Sequence, residues 1–258
     1  MRTLADDLGM PCSLPTGAVT RVVSLVPSLT EAMAATRPSA LVGATDWCSR
    51  PPGLEVERVR GTKNPHVARV VALGPELVVA NKEENRELDV RRLREAGIPV
   101  WVTVIEDVPQ ALASMERLLE GALGWGVPEW LSRARGAWAG PVPDPVAKVA
   151  VPIWRDPWMV VGSSTFTGDL LARTGLENAF GGHAERYPHV DLAEIDRADL
   201  DVVLLPDEPY EFTSQDGPES FERAPTRLVS GRLITWYGPS LVEAREALDT
   251  LVRDVAAG

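Results

Sequence analysis

Residues 21–35 read RVVSLVPSLTEAMAA, and the fold prediction depends on this stretch. The apolar run over 21–26 predicts a short buried strand, because valine and leucine bounded by a proline are typical of a sheet interior. Ser28 stands three residues before Glu31, a spacing that favours a helix N-cap at the serine. The stretch therefore predicts a strand followed directly by a helix that ends near residue 35.

The same alternation of strand and helix continues along the first half of the chain. Strands are predicted over 41–45, 77–80 and 99–104, and helices over 66–73 and 88–96. Such alternation favours βαβ units and a mostly parallel sheet.

The centre of the chain is predicted to be helical over 107–122 and 128–138, with glycines between the two stretches. After this centre the strand–helix alternation resumes. Its predicted elements are strands over 146–151, 159–161, 202–205 and 233–236, and helices over 168–174, 192–198 and 240–255.

These elements predict an α/β fold of two lobes with mostly parallel central sheets, joined by a long rigid spine helix. The predicted division is an irregular leader over 1–18, an N-terminal lobe over 19–105, a helical spine over 106–140 and a C-terminal lobe over 141–258. Because α/β sheets bind ligands outside the carboxyl ends of their strands, the expected site is the cleft between the lobes.

Charge and cysteine content exclude several classes of protein. The 258 residues carry a formal net charge of -11, without clusters of Lys and Arg. We therefore expect neither nucleic acid nor an anionic membrane surface as a partner. Cys12 and Cys48 are far apart in the chain and are expected to be reduced thiols.

The first residues, MRTLADDLGM, differ from a secretory signal. Asp6 and Asp7 interrupt the start, and no apolar run of about 7–15 residues follows. No later segment has the roughly 18 consecutive apolar residues of a membrane helix. The sequence therefore predicts a cytoplasmic protein, and a start codon further upstream that encodes a signal is the alternative.

Six stretches of the chain carry a family resemblance. They are RVVSLVPSLTEAM at 21–33, LVGATDWC at 41–48, GTKNPHVARVVALGPELVVANKEENR at 61–86, GDLLARTGLENAF at 168–180, ERYPHVDLAEI at 185–195 and LLPDEPYEF at 204–212. From residue 19 onward the chain resembles the helical-backbone metal-receptor class, the ABC-importer binding proteins for vitamin B12, haem and ferric siderophores. Within that class it is most similar to the cobalamin-binding members. The resemblance implies a class III periplasmic-binding-protein-like fold that clamps a ligand between its lobes.

Four of the six aromatic candidates for ligand contact are expected to face the cleft. Trp47 and Tyr187 occupy positions where the resemblance implies aromatic side chains in the cleft. Trp236 and Tyr237 lie at the exit of the predicted last strand, which also faces the cleft.

Polar loops on each lobe supply further candidates. In the N-terminal lobe, Lys63 precedes a predicted helix, and Glu83, Glu84 and Asn85 follow a predicted strand. Loops at strand ends often carry function. The alternative for residues 82–85 is a charged helix start, since acidic side chains stabilise a helix N-terminus.

In the C-terminal lobe, Asp207, Glu208 and Tyr210 directly follow the predicted buried strand over 202–205. These carboxylates would accept hydrogen bonds from a ligand, or would belong to a solvated turn. Phe166 stands among hydroxyl side chains before a predicted helix and offers a stacking face.

The resemblance also implies one glutamate on each lobe that pairs with transporter arginines. Here Ala68 and Ala193 stand at those positions, and Glu194 is displaced from the second by one residue. A shift of one position turns a helical side chain by about 100°. The sequence therefore predicts a protein that does not dock onto an importer.

These observations favour a cytoplasmic protein that captures cobalamin or another metal chelate as a ligand, with no cofactor of its own. The alternative is the substrate-binding component of an ABC importer whose signal sequence is missing. An enzyme that reuses the cleft ranks last, because no nucleophile–base pair, P-loop or dinucleotide motif occurs. Neither a catalytic residue nor a metal ligand is predicted.

Overall fold

The chain folds into two units, each with its own parallel sheet. The computed structural model describes residues 1–257, with side chains as far as residue 255. Unit 1 comprises Met1–Ile105, Pro109–Ala134 and Tyr237–Pro239, and unit 2 comprises Glu106–Val108, Arg135–Trp236 and the chain from Ser240. Mostly parallel sheets with interspersed helices confirm the predicted α/β class.

Unit 1 contains a five-stranded parallel sheet. A hairpin precedes the sheet and consists of β1 Arg2–Ala5 and β2 Pro11–Leu14. The strands of the sheet are β3 Val22–Ser24, β4 Leu41–Ala44, β5 Glu57–Arg58, β6 Leu77–Asn81 and β7 Val100–Thr103. The first helices of the unit are α1 Pro27–Thr36, α2 Val67–Ala72 and α3 Glu87–Glu95. The sheet order is β5-β4-β3-β6-β7. Val70 of α2 and Leu93 of α3 pack on Val23, Val78 and Val102 of the sheet. Helices pack on the sheet, so the strands β3, β6 and β7 are buried and mainly apolar.

The central helical region is divided in two. Helix α4 Val108–Glu116 continues as a π-helical segment over Arg117–Ala122, and α5 spans Glu129–Ala137. Gly124 and Gly126 separate them with φ of +68° and +79°, a conformation that glycine adopts without steric cost.

Unit 2 contains a four-stranded parallel sheet in which two strands were not predicted. Its elements are β8 Ala147–Ala150, β9 Pro152–Trp154, β10 Met159–Val160, α6 Phe166–Ala172, β11 Leu176–Asn178, α7 Leu192–Ile195, β12 Val202–Pro206, β13 Thr226–Val229, α8 Gly231–Thr235 and α9 Ser240–Ala257. The sheet order is β11-β8-β12-β13, and β9 pairs with β10 in a separate antiparallel ribbon. The two strands that were not predicted, β11 and β13, lie at the edges of the sheet.

The predicted last strand over 233–236 is wrong. The sheet strand is β13, and the apolar residues that follow belong to α8. The Gly231 amide donates to Asp207 Oδ1 at 2.6 Å, which holds the first turn of α8 against the end of β12. A side chain at Gly231 would place its Cβ 2.4 Å from Glu208 Cγ. This close approach is a tertiary contact, and the apolar pattern of the sequence does not predict it.

Helix α1 also begins earlier than predicted. Val26 is its N-cap residue, and Pro27 occupies the first turn, where a missing N–H group costs nothing. The predicted capping role of Ser28 is therefore wrong.

The predicted irregular leader over 1–18 is wrong as well, because β1 and β2 form an antiparallel hairpin. Its turn covers the open edge of β7. The Asp7 amide donates to Val102 O at 3.1 Å, and the Val102 amide donates to Asp6 Oδ2 at 3.3 Å. Asp6 is buried and also pairs with Arg94 at 2.8 Å. The hairpin therefore satisfies an edge that would otherwise present unpaired backbone groups.

Among the described residues, no helix combines the length and the apolar character that crossing a bilayer requires.

Asp6→Ala is expected to lower the free energy of unfolding by about 3 kcal/mol, because it leaves Arg94 and several backbone amides without their carboxylate. Urea denaturation followed by circular dichroism measures the loss. Glu95→Ala is the matched control, because it breaks an exposed pair with Arg91 and should cost less than about 0.5 kcal/mol. An equal effect of both substitutions would contradict the role assigned to Asp6.

Candidate functional site

In unit 1, an exposed tryptophan marks the carboxyl ends of the parallel strands. Trp47 follows β4, and 70% of its surface is exposed. Its indole lies against Gly61: a Cβ at that position would be 3.2 Å from the Trp47 Nε1 and 2.5 Å from Asn64 Oδ1. Glycine therefore lets the ring lie close to the backbone with its other face open.

The loop over 82–85, which follows β6, is held by two asparagines. Asn81 Oδ1 accepts the Glu83 amide at 2.8 Å, and Asn85 Oδ1 accepts the Asn81 amide at 2.8 Å. Asn85 Nδ2 donates to Thr62 O at 3.0 Å and to Leu25 O at 3.2 Å. Asn85 is buried, and these bonds use its amide group. Predicted from sequence as a ligand contact, it lies where it joins the loop to its neighbours.

Lys63 also joins this loop, because its ammonium group donates to the Glu83 carbonyl. The Glu83 side chain is exposed beside it, whereas Glu84 is half-buried. Of the predicted polar residues in unit 1, Lys63 and Glu83 are exposed.

Tyr237 belongs to the same unit and is buried. Its hydroxyl donates to Glu84 Oε1 at 3.0 Å. Burial, together with the negative charge of Glu84, raises the pKa of Tyr237 well above its ordinary value. Tyr237 was predicted to face the ligand, but its hydroxyl is placed to hold Glu84.

Tyr237→Phe is expected to reduce the loss of stability above pH 10. The folded state keeps the Tyr237 proton, whereas the unfolded chain releases it near pH 10. Unfolding therefore becomes more favourable as the pH rises through that value. Urea midpoints between about pH 9 and pH 11 measure the slope, with Tyr187→Phe as the control at an exposed tyrosine. Parallel slopes for wild type and Tyr237→Phe would refute the assignment.

In unit 2, an aromatic pair is formed by the exposed Trp154 and the half-buried Tyr210. Trp154 ends β9, just beyond the carboxyl end of β8, and is 46% exposed. Tyr210 follows β12, and the two rings meet edge to face at 5.5 Å and 78°. Trp154 is not among the residues that the sequence predicts to contact a ligand. Its position just beyond a predicted strand was the available indication.

The other candidates in unit 2 differ in accessibility. Phe166 and Trp236 are buried, while Tyr187 is exposed. Asp207 is exposed but uses Oδ1 to bind the Gly231 amide. Glu208 is half-buried and precedes a cis peptide bond to Pro209.

A groove of about 490 Å³ lies elsewhere in unit 2, along α6 and the edge strand β11. Asp169 on its wall accepts the Val108 amide at 2.8 Å and pairs with Arg173 at 2.7 Å. Its lining contains none of the predicted ligand contacts. Within the described part of the chain, no three His, Cys, Asp or Glu side chains are grouped to hold a metal ion.

Comparison with known proteins gives consistent results for sequence and fold. No family model matches the chain. It is 24% identical over 204 residues to the vitamin B12-binding protein of Pectobacterium carotovorum, which covers 75% of this chain and 74% of the relative. Identity to the vitamin B12-binding protein of Yersinia pestis is 30% over 110 residues, 42% of this chain and 39% of that protein.

Solved structures show the same fold. The periplasmic vitamin B12-binding protein BtuF of Vibrio cholerae matches with a TM-score of 0.75 at 17% identity, over 93% of this chain and 99% of that one. CeuE of Helicobacter pylori with bound Ni(II) matches with a TM-score of 0.78 at 13% identity, over 99% of this chain and 90% of that one. These findings confirm the resemblance to the helical-backbone metal-receptor class. The named relatives are binding proteins, which confirms the prediction of a binding protein rather than an enzyme.

Proposed function

We propose that this protein captures a ring-shaped metal chelate, with cobalamin as the first candidate. The observation that carries the proposal is the presence of an exposed tryptophan at the carboxyl ends of the parallel strands in each unit, Trp47 and Trp154. Ligands of α/β sheets bind at such strand ends.

The exposure of these two indoles distinguishes them from the other tryptophans. Trp101, Trp138 and Trp158 are buried. Stacking of a ligand on an exposed aromatic ring is favourable, because it removes apolar surface from water. Exposed aromatic faces in a binding fold therefore indicate a contact surface.

The loops that follow β6 and β12 carry four carboxylates among the predicted ligand contacts. Glu83 and Glu84 lie in unit 1, and Asp207 and Glu208 lie in unit 2. Cobalamin carries amide side chains around its corrin ring, and their N–H groups are donors. Acceptors on the protein and donors on the ligand are complementary, which supports a corrinoid over a ligand that has only acceptors.

We also propose that the protein acts without docking onto an importer through carboxylate–arginine pairs. Ala68 is exposed on α2, and its neighbour Arg69 pairs with Glu57 at 3.4 Å. Ala193 is exposed on α7, and Glu194 Oε1 accepts the Asp191 amide at 2.9 Å in a capping box. Glu194 is thus engaged within its own helix. A cytoplasmic location stays a prediction from sequence.

Titration of the purified protein with cyanocobalamin should quench its tryptophan fluorescence saturably. Trp47→Ala and Trp154→Ala are each expected to weaken binding about tenfold or more, because truncating a central tryptophan typically costs about 2 kcal/mol. Trp130→Phe is the control, since its indole already donates to Thr36 Oγ1 at 3.1 Å. Failure of cyanocobalamin, haemin and ferric chelates to bind at micromolar concentration would sink the proposal.

Docking is tested by binding to a purified cobalamin importer that carries the arginine pairs, with a B12 receptor of the class as positive control. Wild-type protein should not bind, whereas the double variant Ala68→Glu, Ala193→Glu should gain measurable affinity, because rim charge pairs supply attraction and orientation. Binding of the wild-type protein as tight as that of the control would instead support the importer-receptor alternative.

A further inference from the structure

The aromatic pair of unit 2 is held in place by a chain of polar contacts. The Tyr210 hydroxyl donates to Asp216 Oδ2 at 2.7 Å. The other oxygen of Asp216 accepts a hydrogen bond from Arg155 Nη1. The hydrogen bond from the Tyr210 hydroxyl to Asp216 raises the pKa of Tyr210, so the phenol keeps its proton and remains a donor. Through Tyr210, the contacts orient the exposed ring of Trp154.

Arg155 is surrounded by carboxylates. Its Nη1 also donates to Glu219 Oε1 at 2.7 Å, and its Nε lies 3.5 Å from Asp156 Oδ2. The guanidinium carbon lies 5.5 Å from the ring centre of Trp158, and only 18% of the side chain is exposed. The charge of Arg155 is therefore directed inward and is matched by partners from its own unit.

The carboxylates, in contrast, face solvent. The side chains of Asp156, Asp216 and Glu219 are 83%, 44% and 49% exposed. Three carboxylates against one guanidinium leave the cluster with a net charge of two negative units. An approaching ligand thus meets an aromatic ring bordered by negative charge. A π face also attracts positive charge, so the two effects act in the same direction.

We propose that Trp154, Tyr210, Asp216 and Arg155 form a charge-selective platform that accepts ring ligands without net negative charge and disfavours anionic chelates. The inference rests on the proposed function and specifies its ligand class. Cyanocobalamin has no net charge, whereas haemin carries two propionate carboxylates. Like-charge repulsion at an interface suppresses the wrong partner, so the platform favours corrinoids or cationic chelates.

The first test needs no ligand. The emission of Trp154 is isolated as the difference between wild type and Trp154→Phe, and is quenched with caesium, iodide and neutral acrylamide at constant ionic strength. Each quenching constant is normalised to that of N-acetyltryptophanamide. Trp154 should be quenched about threefold more effectively by caesium than by iodide, because the platform concentrates cations. Equal normalised constants would overturn the proposal.

Asp216→Asn removes one negative charge and keeps an oxygen that can accept the Tyr210 hydroxyl. It should reduce the ratio of caesium to iodide quenching and leave acrylamide quenching unchanged. Asp254→Asn is the matched control, because it breaks a comparable exposed pair with Arg227 at 2.7 Å. Equal ratios in wild type and Asp216→Asn would also overturn charge selection by the platform.

The second test uses chelates. Wild-type protein should bind cyanocobalamin about tenfold more tightly than haemin, and Asp216→Asn should narrow this preference. Haemin binding that is tighter and insensitive to Asp216→Asn would overturn the ligand class. If neither chelate binds although caesium quenching dominates at Trp154, the proposed function fails for these ligands and the charge selectivity of the platform stands.

Discussion

The parallel direction of the main strands is the constraint on which the candidate site depends. In each unit the carboxyl ends of those strands meet at one sheet edge, so loops distant in sequence become neighbours. Trp47 follows β4 while Glu83 follows β6, and both belong to the same edge in unit 1. In unit 2, Trp154 and Tyr210 meet because β8 and β12 are paired.

The two units hold their loops in different ways. In unit 1 the loop after β6 depends on the neutral amides of Asn81 and Asn85, which bond to backbone groups and are buried. In unit 2 the loop after β12 is held by ionic contacts at Arg155 and Asp216, which are more exposed to solvent. Buried amide contacts fix backbone geometry, whereas exposed carboxylates also shape the local potential. This difference is why the charge-selective platform is assigned to unit 2.

Much of the fold was predictable because buried strands and amphipathic helices leave periodic patterns. The strands β3, β4, β6, β7, β8 and β12 were all anticipated within a few residues. Edge strands were harder: Thr226–Val229 alternates poorly and is partly exposed, so its pattern is weak. The N-terminal hairpin was missed because its role, closing the edge of β7 through Asp6, is a long-range contact.

The sequence by itself determined the α/β class, the loops that carry the candidate residues and the resemblance to metal-chelate receptors. Only the tertiary structure decided which of those residues remain available to a ligand. Asn85 and Tyr237 are buried and bonded within unit 1, whereas Trp154 is exposed and oriented by Tyr210. The periodicity of apolar residues indicates on which face of its own helix or strand a residue lies. Accessibility depends on contacts between distant parts of the chain, as in the Arg155–Asp216 pair, and these form only when the chain is folded.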